Sequence, residues 1–331
     1  MKKSNRWSVA GVSLVLMAIA ACEAPLRLEK VEEAKLEPIR RSDLFQAAAS
    51  NGKAVVVVGN QGLVIRSEDG GANWSRQRLP DWPGLIDVKA CPNGNFAALA
   101  FENQVWVSQD NGSTWVVRGF ESQEEMQGLT CDPENRLWVV GSYSTIISST
   151  DEGQTWHTFS TEEDTIFTTV QFLDRDNAFV TGEFGAVFKT TDGGAQWEAL
   201  TILPDEFYAQ ATYFKNLSEG WIIGLGGAIW HTTDGGQNWV LQETATNAPL
   251  YGITPSGNEL YVVGGEGVVL QLSGENWVRL EHNKPIRLFL RAVLPVGDDK
   301  LLIAGRAGVL HVLAKEDLTA MSDAVTGGSK S

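Results

Sequence analysis

Six copies of one short pattern, Ser/Thr-x-Asp-x-Gly-x-x-Trp, constrain this chain more than any other feature. Five complete copies close at Trp74, Trp115, Trp156, Trp197 and Trp239, and a shortened one, Ser273-Gly-Glu-Asn-Trp277, follows. Successive tryptophans lie 41, 41, 41, 42 and 38 residues apart. A fixed period of that length means stacked copies of one supersecondary unit.

Alignment on the tryptophans exposes the unit. An apolar run, a Gly-containing tight turn and a second run lead into each Asp, as in 178–189 and 220–231. Both runs are short, β-branched and aromatic, and bounded by Gly, which is the pattern of a hairpin. Another short run precedes each pair (168–172, 250–254), and the Trp opens a fourth (197–201). Four antiparallel strands in about 40 residues make a propeller blade. A seventh unit, with strands over 290–295 and 301–312, lacks the box and the fourth strand. A closed ring leaves no unpaired edge, so residues 34–41 are expected to supply the missing outer strand. The fold expected is all-β: a seven-bladed β-propeller of four-stranded antiparallel blades over 34–313, closed by an N-terminal strand.

The box itself reads as structure. Asp69, Asp110, Asp151, Asp192 and Asp234 can each accept hydrogen bonds from their own turn, and the Gly permits φ > 0. Trp74, Trp115, Trp156, Trp197, Trp239 and Trp277 are expected to pack between blades. The copies sit on separate outer turns and cannot form a single site.

The first residues read as an export signal. Lys2, Lys3 and Arg6 form a positive region, 9–20 an apolar stretch, and Ala20-Ala21-Cys22 follows. Small residues before a Cys look like a bacterial lipobox, making Cys22 the expected lipidation site after removal of 1–21. Glu23 rather than Asp at the next position leans toward the outer membrane if the cell has one. Residues 22–33 read as a lipidated tether, and 314–331 as a polar, disordered tail. The expected location is the cell envelope, on the periplasmic side of the outer membrane in a diderm cell. Losing Lys2, Lys3 and Arg6 would take the net charge from −15 to −18. Such acidity opposes nucleic-acid binding, which needs basic surface against phosphates.

Cys91 and Cys131 remain. Aligned repeats pair Cys91 with Asp132, which puts the two cysteines one residue out of register and on opposite faces. An oxidising compartment permits a disulfide, so a bridge and two buried thiols both stay open. The four histidines show no ligand spacing, and no metal or cofactor is expected. Neither a nucleophile elbow nor a phosphate-cradling loop occurs.

Propellers carry their variable surface on the face made by hairpin turns and inter-blade loops. Here that face holds Asn60, Asn103, Tyr143, Glu183, Leu225, Glu266 and Arg306 from the turns. Loops add Asp81 to Pro83, Glu121 to Glu125, Thr161 to Asp164, Asp205-Glu206 and His282 to Arg287. Most of it is acidic, except in the last blade, with Lys284, Arg287, Arg291 and Arg306. Arg291 aligns with Gln46, Asp87, Gly128, Thr169, Ala211 and Tyr251, a column expected near the channel mouth. An Arg cluster on an acidic protein is a candidate carboxylate contact, unless it pairs with Asp87, Glu266 or other acids nearby.

The repeat from Gly182 to Trp197, Gly-x-x-Gly-x-x-x-x-Thr-x-Asp-Gly-Gly-x-x-Trp in outline, resembles the Ycf48/HCF136 family of photosystem II stability and assembly factors. The resemblance covers residues of about 40 to 313. It implies a non-catalytic seven-bladed scaffold that binds a membrane-protein partner during assembly. Some members carry an arginine-rich patch, whose counterpart here would be Arg287, Arg291 and Arg306.

The box also occurs in sialidase-like hydrolases and glycan-binding propellers. That resemblance implies three arginines on a carboxylate, a Tyr–Glu pair and an Asp acid, roles open to Arg287, Arg291, Arg306, Tyr251, Glu266 and Asp87. Their spacing follows no sialidase pattern. The expected function is thus a lipid-anchored, non-enzymatic scaffold for a membrane protein or envelope complex. Candidate contacts are Arg287, Arg291, Arg306, Asp87, Tyr251, Glu266, Glu183 and Tyr143. The alternative is a glycan-binding protein or glycoside hydrolase.

Overall fold

The computed structural model of the chain describes residues 29–204, 207–281 and 286–320. Cys22 and the expected signal segment, 1–21, lie outside them, as do Asp205, Glu206, 282–285 and 321–331.

Seven antiparallel sheets follow one another along the chain, spanning residues 45–78, 85–119, 126–160, 167–199, 209–242, 250–281 and 290–314. These are blades 1 to 7. Within each, strand order in space follows strand order in sequence, which a run of tight hairpins dictates. The second strand of nearly every blade is buried along its length, as in Val55–Gly59, Phe96–Ala100 and Leu137–Gly141. Both faces of such a strand are covered, so apolar runs replace the alternating pattern of a half-exposed strand.

The core lies between blades. Seven apolar clusters each join residues of two neighbouring blades, and the seventh joins blade 7 to blade 1 through Phe45, Val57, Ile65, Leu302 and Leu310. Box tryptophans sit in six of these clusters: Trp115 between blades 1 and 2, Trp156 between 2 and 3, and Trp197 between 3 and 4. Trp239, Trp277 and Trp74 seal the 4–5, 5–6 and 7–1 contacts.

Box geometry repeats five times. In the first, Ser67 Oγ donates to Asp69 Oδ1 at 2.8 Å and the Asn73 amide donates to the same oxygen at 2.8 Å. The Gly71 amide donates to Ser67 Oγ at 2.8 Å. The same three bonds recur around Asp110, Asp151, Asp192 and Asp234. The second Gly is required twice over. Gly194 has φ +88, and a Cβ there would run into Trp138 of the preceding blade.

Hydrogen bonding to the ionised form holds the box carboxylates low. Asp69 is lowered to about 2, chiefly by the Asn73 amide, and Asp151 to about 2, chiefly by the Thr155 amide. Asp192 and Asp234 shift the same way, led by Gln196 and Asn238. At Asp110 burial pulls upward, and bonds from Thr114 and Ser108 outweigh it.

Ring closure differs from expectation. Residues 34–41 form no strand: Glu29–Leu36 is an α-helix in a unit, 1–37, separate from the propeller unit, 38–331. Blade 7 has three strands among the described residues. The segment 38–44 returns to blade 7 as a loop, with Gly308 N donating to Asp43 O at 2.9 Å and an isolated bridge between Leu44 and Arg306. That is the place an inter-blade loop takes elsewhere, for example Gly185 N to Phe207 O at 2.7 Å. Arg76 of blade 1 pins the loop, bonding the Pro38 carbonyl at 3.0 Å and both oxygens of buried Asp43 at 2.8 and 2.9 Å.

The start of the expected tail is ordered as well. Lys315–Asp317 is a 3-10 turn, and Thr319–Ala320 pairs with Asn276–Glu281 as a fifth strand of blade 6. This covers the 6–7 junction, where blade 7 has no box Trp and Leu313 and Leu318 pack instead.

Cys91 and Cys131 form a disulfide between blades 2 and 3, with a Cα–Cα distance of 5.2 Å. The one-residue offset holds, but it does not separate the two thiols: neighbouring blades stack face on face, so opposite faces are the ones that meet, as where Ala97 and Leu99 of blade 2 pack with Leu137 and Val139 of blade 3.

Candidate functional site

A polar channel of about 320 Å³ runs between the innermost strands of the blades. These are Phe45–Ser50, Leu85–Ala90, Met126–Cys131, Phe167–Phe172, Ala209–Phe214, Leu250–Ser256 and Leu290–Val296. Every one carries a β-bulge at its second residue. A bulged residue is unpaired and re-aimed, and here the re-aimed side chains line the channel near its mouth.

The bulges correct the column aligned with Arg291. Its equivalents are Gln46, Ile86, Gln127, Thr168, Gln210 and Tyr251, all lining the channel. Asp87, Gly128, Thr169 and Ala211 are one residue further along, at paired positions. Counting from the tryptophans cannot reveal this, because the bulge stands 28 residues before the Trp in blade 1 and 29 before it in blades 2 to 5. The polarity of Gln127 and Gln210 at the start of otherwise mixed strands was the available signal.

Arg291 is the cation of this ring. Its guanidinium lies 4.9 Å from the Tyr251 ring centroid, and its Nε donates to Gln46 Oε1 at 3.2 Å. Tyr251 in turn packs near Phe289, with centroids 6.0 Å apart. The channel gives water access to Arg291 while walling it with protein, and this crowding pushes its pKa below the usual arginine value. Among the described residues it has no carboxylate partner, whereas Lys89, the other channel cation, pairs with Asp87 at 3.1 Å. Asp87 also accepts the Val88 and Leu129 amides, bridging blades 2 and 3. The expected alternative, in which Asp87 or Glu266 neutralises the arginines, does not occur.

The remaining residues spread over one face of the ring. Hairpin turns and inter-blade loops interlock there, through Gly62 N to Pro83 O (2.6 Å), Ser144 N to Thr165 O (2.7 Å) and Gly267 N to Leu288 O (2.8 Å). Arg306 sits exposed on the blade 7 turn, where its amide bonds Phe289 O at 2.9 Å. Arg287 is exposed on the preceding loop. Glu266 is exposed at the blade 6 turn, with φ +57. Glu183, at the blade 4 turn, accepts the Ile166 amide at 2.9 Å. Tyr143 caps the blade 3 turn, half-exposed, its carbonyl accepting Ser160 Oγ at 2.7 Å.

These groups form a ring-mouth cation with a charged rim. They do not converge as a hydrolytic site: Arg287 and Arg306 stand outside the channel, and Tyr251 bonds neither Glu266 nor another carboxylate among the described residues. No cluster of three or more His, Cys, Asp or Glu suited to a metal ion occurs among the described residues.

Sequence reasoning also passed over the exposed aromatics of this face. Phe101 and Phe184 each break an otherwise polar turn, and Phe289 stands beside Leu288, which is exposed as well.

Comparison with known proteins places the fold. The family model described as photosynthesis system II assembly factor YCF48 matches residues 119–189 and 156–249, across blades 3 to 5. The solved structure of YCF48 from Cyanidioschyzon merolae is 19% identical with a TM-score of 0.60, over 72% of this chain and 85% of its own. A structure titled YCF48 bound to D1 peptide is 16% identical with a TM-score of 0.68, over 82% and 92%. Catalytically inactive virginiamycin B lyase from Staphylococcus aureus with quinupristin is 13% identical with a TM-score of 0.72, over 83% and 96%. At these identities the structural likenesses concern the fold. No curated protein matches the chain in sequence. Blade count and box repeats make the chain a seven-bladed β-propeller, and the match over blades 3 to 5 makes it similar to the YCF48 assembly factors.

Proposed function

We propose that this propeller is a non-catalytic scaffold that binds a segment of a membrane-protein partner on the face carrying the hairpin turns. Arg291 at the channel mouth takes a carboxylate of that segment, with Arg287 and Arg306 on the rim above it. The observation that carries this reading is the state of Arg291: unpaired, oriented by Gln46 and Tyr251, and open to the channel. A guanidinium held by neighbours that leave its charge uncompensated is prepared for an anion. The YCF48 structure with a D1 peptide supports a membrane-protein segment as the occupant class.

The same reading places the protein in the cell envelope, anchored by lipid at Cys22. The lipobox-like segment supports it. So does the Cys91–Cys131 bridge, because disulfides persist in oxidising compartments.

The test is crosslinking in native membranes followed by copurification. Wild type is compared with Arg291→Gln and with the Arg287→Glu/Arg291→Glu/Arg306→Glu triple variant. Loss of a membrane-protein partner in both variants is the expected result. A partner retained at wild-type level by the triple variant would remove this face's arginines from the function.

A further inference from the structure

The turn face holds a second feature that the arginine sector does not use. Trp82, Phe101, Tyr143 and Phe184, on blades 2 to 4 and the loop that leads into blade 2, are 66%, 55%, 52% and 52% exposed. They share one face, because the turns and loops that carry them bond to each other: Phe101 N to Gly84 O at 3.1 Å, and Glu183 N to Ile166 O at 2.9 Å. Burial does not account for these side chains.

Backbone preference does not account for them either. Trp82, Tyr143 and Phe184 have φ of +54, +49 and +54. A bulky side chain in the left-handed region is uncommon and costly. The same turn position holds Gly226 in blade 5 and Ala307 in blade 7, so the fold does not demand an aromatic there. A strained aromatic that is half-exposed gains little from burial to set against its strain, and contact with a partner explains it.

The surroundings say what that contact is. Glu121, Glu125, Glu162, Glu163 and Asp164 occupy the loops flanking Tyr143, all exposed, and none forms an ion pair among the described residues. Aromatic faces bordered by free carboxylates attract guanidinium and ammonium groups, which gain from ring and carboxylate together. The same charge repels an anionic lipid surface.

We infer that this arc docks an apolar stretch of the partner that carries Arg or Lys side chains, a contact separate from the carboxylate at Arg291. The inference rests on the partner-binding reading above and assigns the chemistry of a second part of the bound segment. The bound segment is therefore bipolar: a carboxylate over the channel, and cationic and apolar residues across blades 2 to 4.

The probe is a labelled decapeptide alternating Leu and Arg, capped at both ends so that it carries no carboxylate, with binding read by fluorescence anisotropy. Wild type is compared with Tyr143→Gly/Phe184→Gly, substitutions suited to their left-handed positions, and with Glu162→Gln/Asp164→Asn. Both variants are expected to weaken binding about 10-fold, the scale of one or two lost cation–aromatic contacts. Arg291→Gln is expected to leave the capped probe unaffected, which separates failure of this inference from failure of the carboxylate site. Equal binding of a Ser–Arg peptide would reduce the arc to bulk charge, and equal binding of a Leu–Glu peptide would remove its preference for cations. Unchanged binding by the aromatic variant overturns the inference. So does capture of phosphatidylcholine vesicles through the same aromatics, which would make the arc a membrane-insertion surface.

Discussion

The two faces of the ring are built from the same repeats and spend their side chains differently. On the Asp-box face, residues recur from blade to blade and bond within their own turn. Ser or Thr, Asp and Gly close the same three hydrogen bonds five times, and a Trp seals the neighbouring interface. On the turn face the backbone recurs but the side chains do not. Left-handed turn positions hold Gln61, Tyr143, Phe184, Gly226, Glu266 and Ala307 in turn. Sameness across blades marks what each interface needs, and difference marks what one location on the ring needs. In a repeat protein this contrast does the work that a single site motif does in an enzyme.

The largest effect that would break the contrast lies in a box tryptophan. Trp197 is buried between blades 3 and 4, with ring centroids 6.4 Å from Trp138 and 6.3 Å from Phe172. Trp197→Ala is expected to cost about 3–5 kcal/mol by chemical denaturation, the usual range for removing a buried aromatic. Arg306→Ala, exposed on the other face, is expected to stay within about 0.5 kcal/mol. Similar costs for the two would mean that the faces do not divide structure from recognition.

Acid sharpens the same division. The box carboxylates are held below their ordinary range, Asp69 and Asp151 to about 2, and Asp110, Asp192 and Asp234 in the same direction. A carboxylate with a depressed folded-state pKa binds its proton more readily when unfolded, where its pKa is about 3.9. The boxes therefore stabilise the fold fully above about pH 4 and lose that contribution as pH falls toward 2. Denaturation midpoints between pH 5 and 2 should decline over that lower window. Replacing Asp69 and Asp151 by Asn should flatten the decline, and a decline that is unaltered would place the acid sensitivity elsewhere.

Legibility followed the same split. Blade number, box geometry and the tryptophans' positions were readable because the period repeats them, so each residue is predicted several times over. Features that occur once were not. Blade 1 is one residue shorter than blades 2 to 5 between its bulge and its Trp, so Asp87, Gly128, Thr169 and Ala211 stood in for Ile86, Gln127, Thr168 and Gln210, one position earlier. Closure by Asp43 and Arg76 was equally hidden, because an edge needs cover without specifying a strand. Arg291 was found because it is the one cation in its column, a departure from the repeat. Phe184 was missed because a single exposed aromatic in a turn carries no pattern.

The smallest expected effect is also the most discriminating. Phe184 is half-exposed, and its φ of +54 suits glycine better than phenylalanine. Phe184→Gly relieves the strain of a bulky left-handed residue, while glycine's greater freedom in the unfolded chain offsets much of that gain. Stability is expected to change by no more than about 0.5 kcal/mol in either direction. Glu266→Gly, at the equivalent turn of blade 6, should behave alike in stability but leave the Leu–Arg peptide bound. If Phe184→Gly instead lowered stability by well over about 1 kcal/mol, the aromatic would belong with the box residues as part of the fold. If it left stability intact and weakened only binding, the turn face would be shown to carry residues whose cost the fold bears without benefiting from them.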